Sequence, residues 1–153
     1  MGPPHQHMDG TTTRQVVPGV PTAVSYRLVS LEQGLRAEVV HTVTDADTAI
    51  AVGSGDVPVL GTPRVIALCE GATVAAIAAH LDADRTTVGM RVQLDHLAPT
   101  AVGSSVRVEA VLEELDGPRL TFKVTVNDDR GLVAVGRVTR VSVDRQRFLD
   151  KLR

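Results

Sequence analysis

The sequence predicts an α+β domain in which a curved antiparallel sheet wraps around one long helix. Two observations support this prediction. One segment near the middle of the chain is apolar on almost every side of a helix, which is typical of a buried helix. After it, strand-like segments follow one another with only short turns between them, as in an antiparallel sheet. The edges of such a sheet would be exposed unless two copies paired, so we expect a homodimer.

The N-terminal part of the chain shows little regular pattern. Residues 1–21 are rich in proline, glycine and threonine, and we predict that they are disordered. The folded domain is expected to span residues 22–153. Thr22–Leu31 is weakly strand-like, whereas Leu35–Val43 alternates better between the two faces of a strand. A loop is predicted at Gly53–Pro58, where glycine and proline cluster.

The central helix is predicted to begin at Thr62, as a hydroxyl residue that can cap the helix and is followed by a proline at the first helical position. Between Val65 and Ala79 the only charged residue is Glu70, so almost no polar face remains. We therefore expect the helix to be buried in the core. No apolar run is expected to be long enough to span a membrane.

Four strands and a short helix are predicted to complete the fold. The strands are Thr86–His96, Ser104–Leu115, Leu120–Asn127 and Leu132–Val143. Turn-forming aspartate, glycine and proline residues separate the last three of them. A final amphipathic helix is expected within Asp144–Leu152.

Composition and charge exclude several classes of protein. The net charge of −2 gives no reason to expect nucleic acid or an anionic membrane as a partner. A single cysteine, Cys69, rules out a disulfide scaffold. The polar N-terminus, Met1–Gly10, lacks the apolar stretch of a signal peptide, so the cytoplasm is the expected location. His5 and His7 lie in the segment predicted to be disordered, and we predict no metal site.

The basic residues are almost all arginine, with Lys123 and Lys151 as the exceptions. We interpret this bias as the codon usage of a GC-rich bacterium.

Three polar residues are candidates for chemistry. A lone carboxylate on a buried helix is costly unless it is paired, which makes Glu70 unusual, although it could equally mark the one wetted stripe of the helix. The hydroxyl of Thr62 would lie beside free amides at the positive end of the helix dipole, where an oxyanion is stabilised. Most threonines at such a position serve only as caps. His96 ends a predicted strand and is a candidate general acid or base, although a histidine there is more often structural.

Several stretches together resemble the fluoroacetyl-CoA thioesterase-like family, which has the hot-dog fold. The stretches are GSGDVPVLGTP at residues 53–63, the helix that carries Glu70, VG at residues 88–89 and HLAPT at residues 96–100. The resemblance extends roughly from Leu35 to Phe148. It implies a hot-dog fold and the hydrolysis of an acyl-CoA thioester to a carboxylic acid and free CoA.

The resemblance also implies which residues form the site. The family's catalytic threonine, glutamate and histidine fall on Thr62, Glu70 and His96. A glycine that lines its site falls on Gly89, and an arginine that contacts substrate or CoA falls on Arg140. Gly89 could instead reflect close strand packing or a bulge, and Arg140 could be an exposed strand charge. The residues just before the threonine are also expected to bind substrate: Val59, Leu60 and Gly61.

One departure from the family concerns the acyl group. The specialised fluoroacetyl-CoA enzyme has an aromatic lid before its catalytic threonine, whereas Ile50–Leu60 contains no aromatic residue here. Selection of a fluorinated acetyl group by such a lid is therefore not expected. The expected substrate is a small or medium acyl-CoA, and no metal or bound cofactor is implied, because CoA arrives with the substrate. The alternative is a non-catalytic hot-dog protein that binds or senses acyl-CoA. A hot-dog hydratase is disfavoured, because Asp95-His96 does not supply its D-x-N-x-x-H arrangement.

Overall fold

The computed structural model describes residues 30–153 and confirms the predicted α+β architecture. The predicted weak strand at 22–31 and the predicted disorder of residues 1–21 fall almost wholly outside the described residues. The helices and strands are β1 Arg36–Thr42, α1 Ala49–Val52, α2 Thr62–Ile77, β2 Arg85–His96, β3 Ser105–Asp116, β4 Arg119–Asp128, β5 Gly131–Asp144 and α3 Arg145–Asp150. Short 3-10 turns lie at Asp45–Asp47 and at Ala78–His80.

Five strands form one antiparallel sheet in the order β1-β3-β4-β5-β2. Tight turns join β3 to β4 and β4 to β5, as their turn-forming residues predict. The long strand β2 lies at one edge of the sheet, and β1 lies at the other. The register of β2 against β5 shifts between Gly89 and Arg91, which is a bulge next to the candidate site.

The core lies between the inner face of the sheet and one side of α2. Strand β4 alternates strictly between buried and more exposed residues, which is the pattern of a strand with one covered face. The buried residues are mainly valine, leucine and alanine, and Phe122 is the largest of them. On α2 the buried residues are Val65, Leu68, Cys69, Ala72, Thr73, Ala76 and Ile77.

The prediction that α2 is buried on nearly every side is wrong for the single protomer. Ala67, Gly71 and Ala75 are exposed, and Val74 is 45% exposed. The reason is geometric, because one sheet can cover only one side of a helix. The segment Thr62–His80 also reaches the length and apolarity of a membrane span, contrary to expectation, but its buried side packs against the sheet as a core helix does.

Candidate functional site

The N-terminus of α2 is closed by Gly61, so the prediction that Thr62 is the N-cap is wrong. Gly61 has an extended backbone, and its carbonyl oxygen accepts the amides of Arg64 and Val65 at 3.0 and 3.1 Å. A β-carbon at Gly61 would lie 2.9 Å from a methyl group of Val52. The close approach of these segments therefore requires glycine, and it leaves the Thr62 hydroxyl free for another partner.

That partner is His96, the last residue of β2. The Oγ1 atom of Thr62 and the Nδ1 atom of His96 are 2.8 Å apart. The other ring nitrogen of His96, Nε2, is buried and has no hydrogen-bond partner among residues 30–153. The Nδ1 nitrogen is thus positioned to exchange a proton with the hydroxyl of Thr62.

One free backbone donor belongs to the same residue. The amide of Thr62 donates to no acceptor among the described residues, because it lies in the first turn of α2, where intrahelical acceptors are missing. The positive end of the helix dipole adds to the field at this point. Such an arrangement favours negative charge on an oxygen atom placed beside Thr62.

A cleft of about 350 Å³ opens beside the Thr62–His96 pair. Its walls come from the loop before α2 and from the chain after β2. They are formed by Ala49, Ser54, Gly55, Asp56, Val57, Val59, Leu60, Gly61, Leu97, Ala98 and Pro99. The predicted substrate residues Val59, Leu60 and Gly61 all line this cleft, although Leu60 is also part of the core and only 1% exposed.

Glu70 lies in a second cluster, in which Arg140 is the central residue. Nη1 of Arg140 donates to Oε2 of Glu70 at 3.0 Å. Its Nε donates to the hydroxyl of Thr87 at 2.8 Å and its Nη2 to the carbonyl oxygen of the same residue at 3.0 Å. Arg140 is only 6% exposed, so the reading of this residue as an exposed strand charge is wrong. Its guanidinium holds the Glu70 carboxylate over β2.

Gly89 completes this second cluster. A β-carbon built on Gly89 would lie 2.5 Å from Oε2 of Glu70. A glycine is thus what allows the carboxylate to rest against the strand. The adjoining cleft, of about 320 Å³, is lined by Glu70, Gly89, Met90, Arg91 and Val92.

The two clusters do not meet within one protomer. Thr62 and Glu70 are eight residues apart on α2, which is about 12 Å along the helix axis. His96 contacts Thr62, whereas Arg140 and Gly89 contact Glu70. The predicted trio is therefore divided into a hydroxyl–imidazole pair and a carboxylate–guanidinium pair.

Asp47 links the elements around the start of α2, and sequence reasoning missed it. Its carboxylate accepts Nε of Arg64 at 2.7 Å, Nε2 of His41 at 2.8 Å and the amide of Thr44 at 2.7 Å. Its carbonyl oxygen accepts the amide of Gly61 at 2.9 Å. Burial alone would raise the pKa of Asp47, but these hydrogen bonds hold its pKa well below the usual range.

Cys69 precedes Glu70 on α2 but points into the core and is fully buried. Burial and the negative charge of Glu70 raise the pKa of its thiol to about 12. The thiol is therefore protonated at neutral pH and is not a nucleophile. Within residues 30–153, no histidine, cysteine, aspartate and glutamate side chains group in threes as a metal site would require.

The sequence profile of the fluoroacetyl-CoA-specific thioesterase family matches residues 43–146. The chain belongs to this family. The assignment confirms the resemblance and the prediction of an acyl-CoA thioesterase. The fluoroacetyl-CoA thioesterase of Streptantibioticus cattleyicolor is 30% identical over 95 residues, which are 62% of this chain and 68% of that protein.

Solved structures confirm the hot-dog fold. A fluoroacetyl-CoA thioesterase aligns with a TM-score of 0.76 and 24% identity, over 80% of this chain and 96% of its own. A thioesterase superfamily member from Thermus thermophilus aligns with a TM-score of 0.74 and 26% identity, over 79% of this chain and 90% of its own. A hot-dog-like protein from Thermanaerovibrio acidaminovorans aligns with a TM-score of 0.75 and 22% identity, over 81% and 91%.

Proposed function

We propose that this thioesterase hydrolyses a small or medium acyl-CoA in the cytoplasm, with Thr62, Glu70 and His96 acting on one thioester. The observation that carries the proposal is the 2.8 Å contact between the Thr62 hydroxyl and the His96 ring at the start of α2. The thioester oxygen would point at the hydroxyl and the amide of Thr62. Losing one such donor costs on the order of a hundredfold in rate.

Glu70 is the carboxylate of the proposed reaction. It either attacks the acyl carbon itself or takes a proton from the water molecule that does. In both routes the carbon–sulfur bond breaks, the acyl group gains the oxygen of water, and the CoA sulfur gains a proton. His96 supplies that proton, and the contact with Thr62 keeps its ring at the reacting group.

A homodimer would bring the two clusters together. Thr62 and Glu70 of one protomer are too far apart to touch a single carbonyl group, at about 12 Å along the helix. Among residues 30–153, the 12-residue strand β2 pairs only with β5 and leaves its other edge open, and α2 exposes an apolar side next to it. Pairing two copies of β2 across a two-fold axis would cover both features.

The side chains of β2 that face α2 are compatible with one register that joins the two clusters. Val92 and Leu94 pack against the core, so His96 points to the same side by the two-residue repeat of a strand. Gly89 also faces α2, because it touches Glu70. A two-fold axis that sets His96 opposite Gly89 of the partner subunit would place a Thr62–His96 pair beside the partner's Glu70.

The cleft beside Thr62 supports a small or medium acyl group. It has a volume of about 350 Å³, and the side chains of Val57, Val59 and Leu60 give it an aliphatic wall. The segment Ile50–Leu60 has no aromatic side chain. We therefore propose that an aromatic lid plays no part in selecting the acyl group here.

The first test measures free-thiol release from acetyl-, fluoroacetyl-, butyryl- and hexanoyl-CoA. Thr62→Ala, Glu70→Gln and His96→Ala should each lose about a hundredfold or more in rate while keeping the wild-type circular dichroism and melting transition. Binding of acyl-CoA without turnover of any thioester would instead indicate the sensing alternative.

The second test asks whether the site is shared between protomers. The protein should have twice the chain mass of 16.2 kDa in solution. Glu70→Gln and Thr62→Ala chains, unfolded and refolded together, should regain about one quarter of the wild-type activity, because hybrid dimers would hold one intact site. No regain of activity in verified hybrids would show that each site uses a single chain.

A further inference from the structure

A basic cleft lies beside the start of β2, away from Thr62 and His96. It has a volume of about 270 Å³ and is formed where the ends of β2 and β5 meet α3. Its lining residues are Arg85, Ser142, Val143, Asp144, Arg147, Phe148 and Lys151. The proposed reaction uses none of them.

The side chains that line this cleft carry three positive charges and one negative charge. Arg85, Arg147 and Lys151 contribute three cations, and none of them forms a salt bridge among residues 30–153. The single carboxylate, that of Asp144, accepts the backbone amide of Arg147 at 2.9 Å and caps α3. Three unpaired cations around a concave surface favour a ligand with several negative charges.

The guanidinium of Arg85 is held in place but not saturated. Its Nε and Nη2 atoms donate to Oγ of Ser142 at 3.2 and 3.0 Å. A guanidinium has five N–H groups in a rigid fork, so three remain for an anion. Arg147 and Lys151 stand four residues apart, which is the spacing of neighbours on one helix face.

We propose that this cleft binds the phosphate groups of the CoA part of the substrate. The inference rests on the proposed thioesterase function, and it adds a site for the non-reacting end of the molecule. Arginine and lysine side chains bind phosphate oxygens through charge-assisted hydrogen bonds, which are stronger than neutral ones. Binding of the phosphates in this cleft would help to hold the thioester at Glu70.

The distance along β2 matches the length of the substrate. Arg85 lies four residues from Gly89, which is about 13 Å along a strand. The extended pantetheine arm between thioester and pyrophosphate spans about 15 Å, on the dimensions of an extended chain. The contact of Arg85 with Ser142 and that of Arg140 with Thr87 show that both arginines lie on one face of the β2–β5 pair.

Three other clefts carry no net positive charge on the side chains that line them. The cleft beside Glu70 has that carboxylate and one lining cation, Arg91. The cleft beside Thr62 has one carboxylate, that of Asp56, and no lysine or arginine. A neighbouring cleft of about 290 Å³ sets Asp128 and Asp129 against a single cation, Arg130. Electrostatics therefore directs the phosphate end of the substrate towards Arg85.

The test compares two thioesters of the acyl group that is cleaved fastest. One is the acyl-CoA, and the other is the S-acyl-N-acetylcysteamine, which has the thioester but no phosphate. The double variant Arg147→Ala/Lys151→Ala should raise KM for the acyl-CoA by about tenfold or more, with little change in kcat. Its kcat/KM for the phosphate-free thioester should match that of the wild type.

Arg145→Ala is the matched control. This arginine is exposed on the same short helix but does not line the cleft, so its removal should leave both substrates unaffected. Equal losses on both thioesters, or no loss on either, would overturn the proposal. The acyl-dephospho-CoA separates the phosphates: an unchanged KM in the wild type would assign the cleft to the pyrophosphate, and a raised KM would assign it to the 3′-phosphate.

The proposal that the cleft binds phosphate can be tested even if the proposed thioesterase function is wrong. If the wild type cleaves neither thioester, the thioesterase proposal fails, and calorimetric titration with CoA alone then tests the cleft. Binding that weakens with added salt and is lost in the double variant would still support it. Binding of CoA that is the same in wild type and double variant would exclude it.

Discussion

The carboxylate of Glu70 rests directly on the backbone of Gly89, so that a β-carbon on the glycine would lie 2.5 Å from Oε2. The same oxygen accepts a hydrogen bond from Arg140 at 3.0 Å. Gly89 on β2 thus leaves room for the carboxylate, and the buried cation Arg140 on β5 holds it there.

Gly89→Ala should push the Glu70 carboxylate away from β2, because the added methyl group would overlap Oε2. We expect kcat to fall by about tenfold to a hundredfold, since a misplaced reacting group slows the reaction. Steady-state kinetics on the best acyl-CoA measures this. The control is Lys123→Ala, since Lys123 is exposed on the central strand β4, away from Glu70 and from the edge strand β2. That variant should keep the wild-type kcat. Wild-type kcat in Gly89→Ala would contradict the role of this contact.

Arg140→Gln should lower both activity and stability, because the shorter side chain cannot span from Thr87 to Glu70 and leaves buried polar groups unpaired. The loss in the free energy of unfolding should be about 2 kcal/mol or more, measured by urea titration. Arg137→Ala on the same strand is the control, because its pair with Glu113 is largely exposed and should contribute less than about 1 kcal/mol. Equal effects of the two variants would count against a special place for Arg140.

Asp47→Asn should loosen the start of α2, because it removes the ion pair with Arg64 and weakens the bond to His41. We expect kcat to fall by about tenfold while KM changes little, since the loop and Thr62 lose their common anchor. Asp45→Asn is the matched control, because Asp45 is exposed in the same turn. A lowered melting temperature with unchanged kcat would limit Asp47 to a purely structural role.

Acid should remove the contribution of Asp47 to stability. The pKa of this carboxyl is lower in the folded protein than in the unfolded chain, so its ionisation stabilises the fold at pH above about 4 and the effect fades as pH falls further. The difference in melting temperature between wild type and Asp47→Asn should therefore shrink as pH falls below about 4. A difference that grows towards low pH would have the wrong sign.

The strands of the sheet could be predicted from sequence, because each one is indicated by its own alternation of residues and by the turns beside it. The alternation of residues 119–128 and the turn residues on either side define β4 without knowledge of its neighbours. The same holds for the long strand that ends at Asp144, where the prediction and the structure agree within two residues.

The contacts of the site could not be predicted in this way, because they join residues distant in sequence. Arg140 follows Glu70 by 70 residues, and only the order of strands brings the two together. Thr62 has the local preference of a cap, yet its partner is a histidine 34 residues later and the cap is Gly61. The apolar side of α2 predicted burial correctly for the half that faces the sheet, but pattern alone does not say what covers the other half.

Because of the position of Cys69, the folded protein should not react with chromogenic thiol reagents. Cys69 is the single cysteine of the chain, is fully buried beside Glu70, and has a pKa of about 12. Every thiol that the reagent detects during turnover should therefore come from released CoA. The absorbance of protein without substrate should not rise. When α2 separates from the sheet, the thiol of Cys69 becomes reactive. Its labelling rate in the absence of substrate should therefore report how often the core opens.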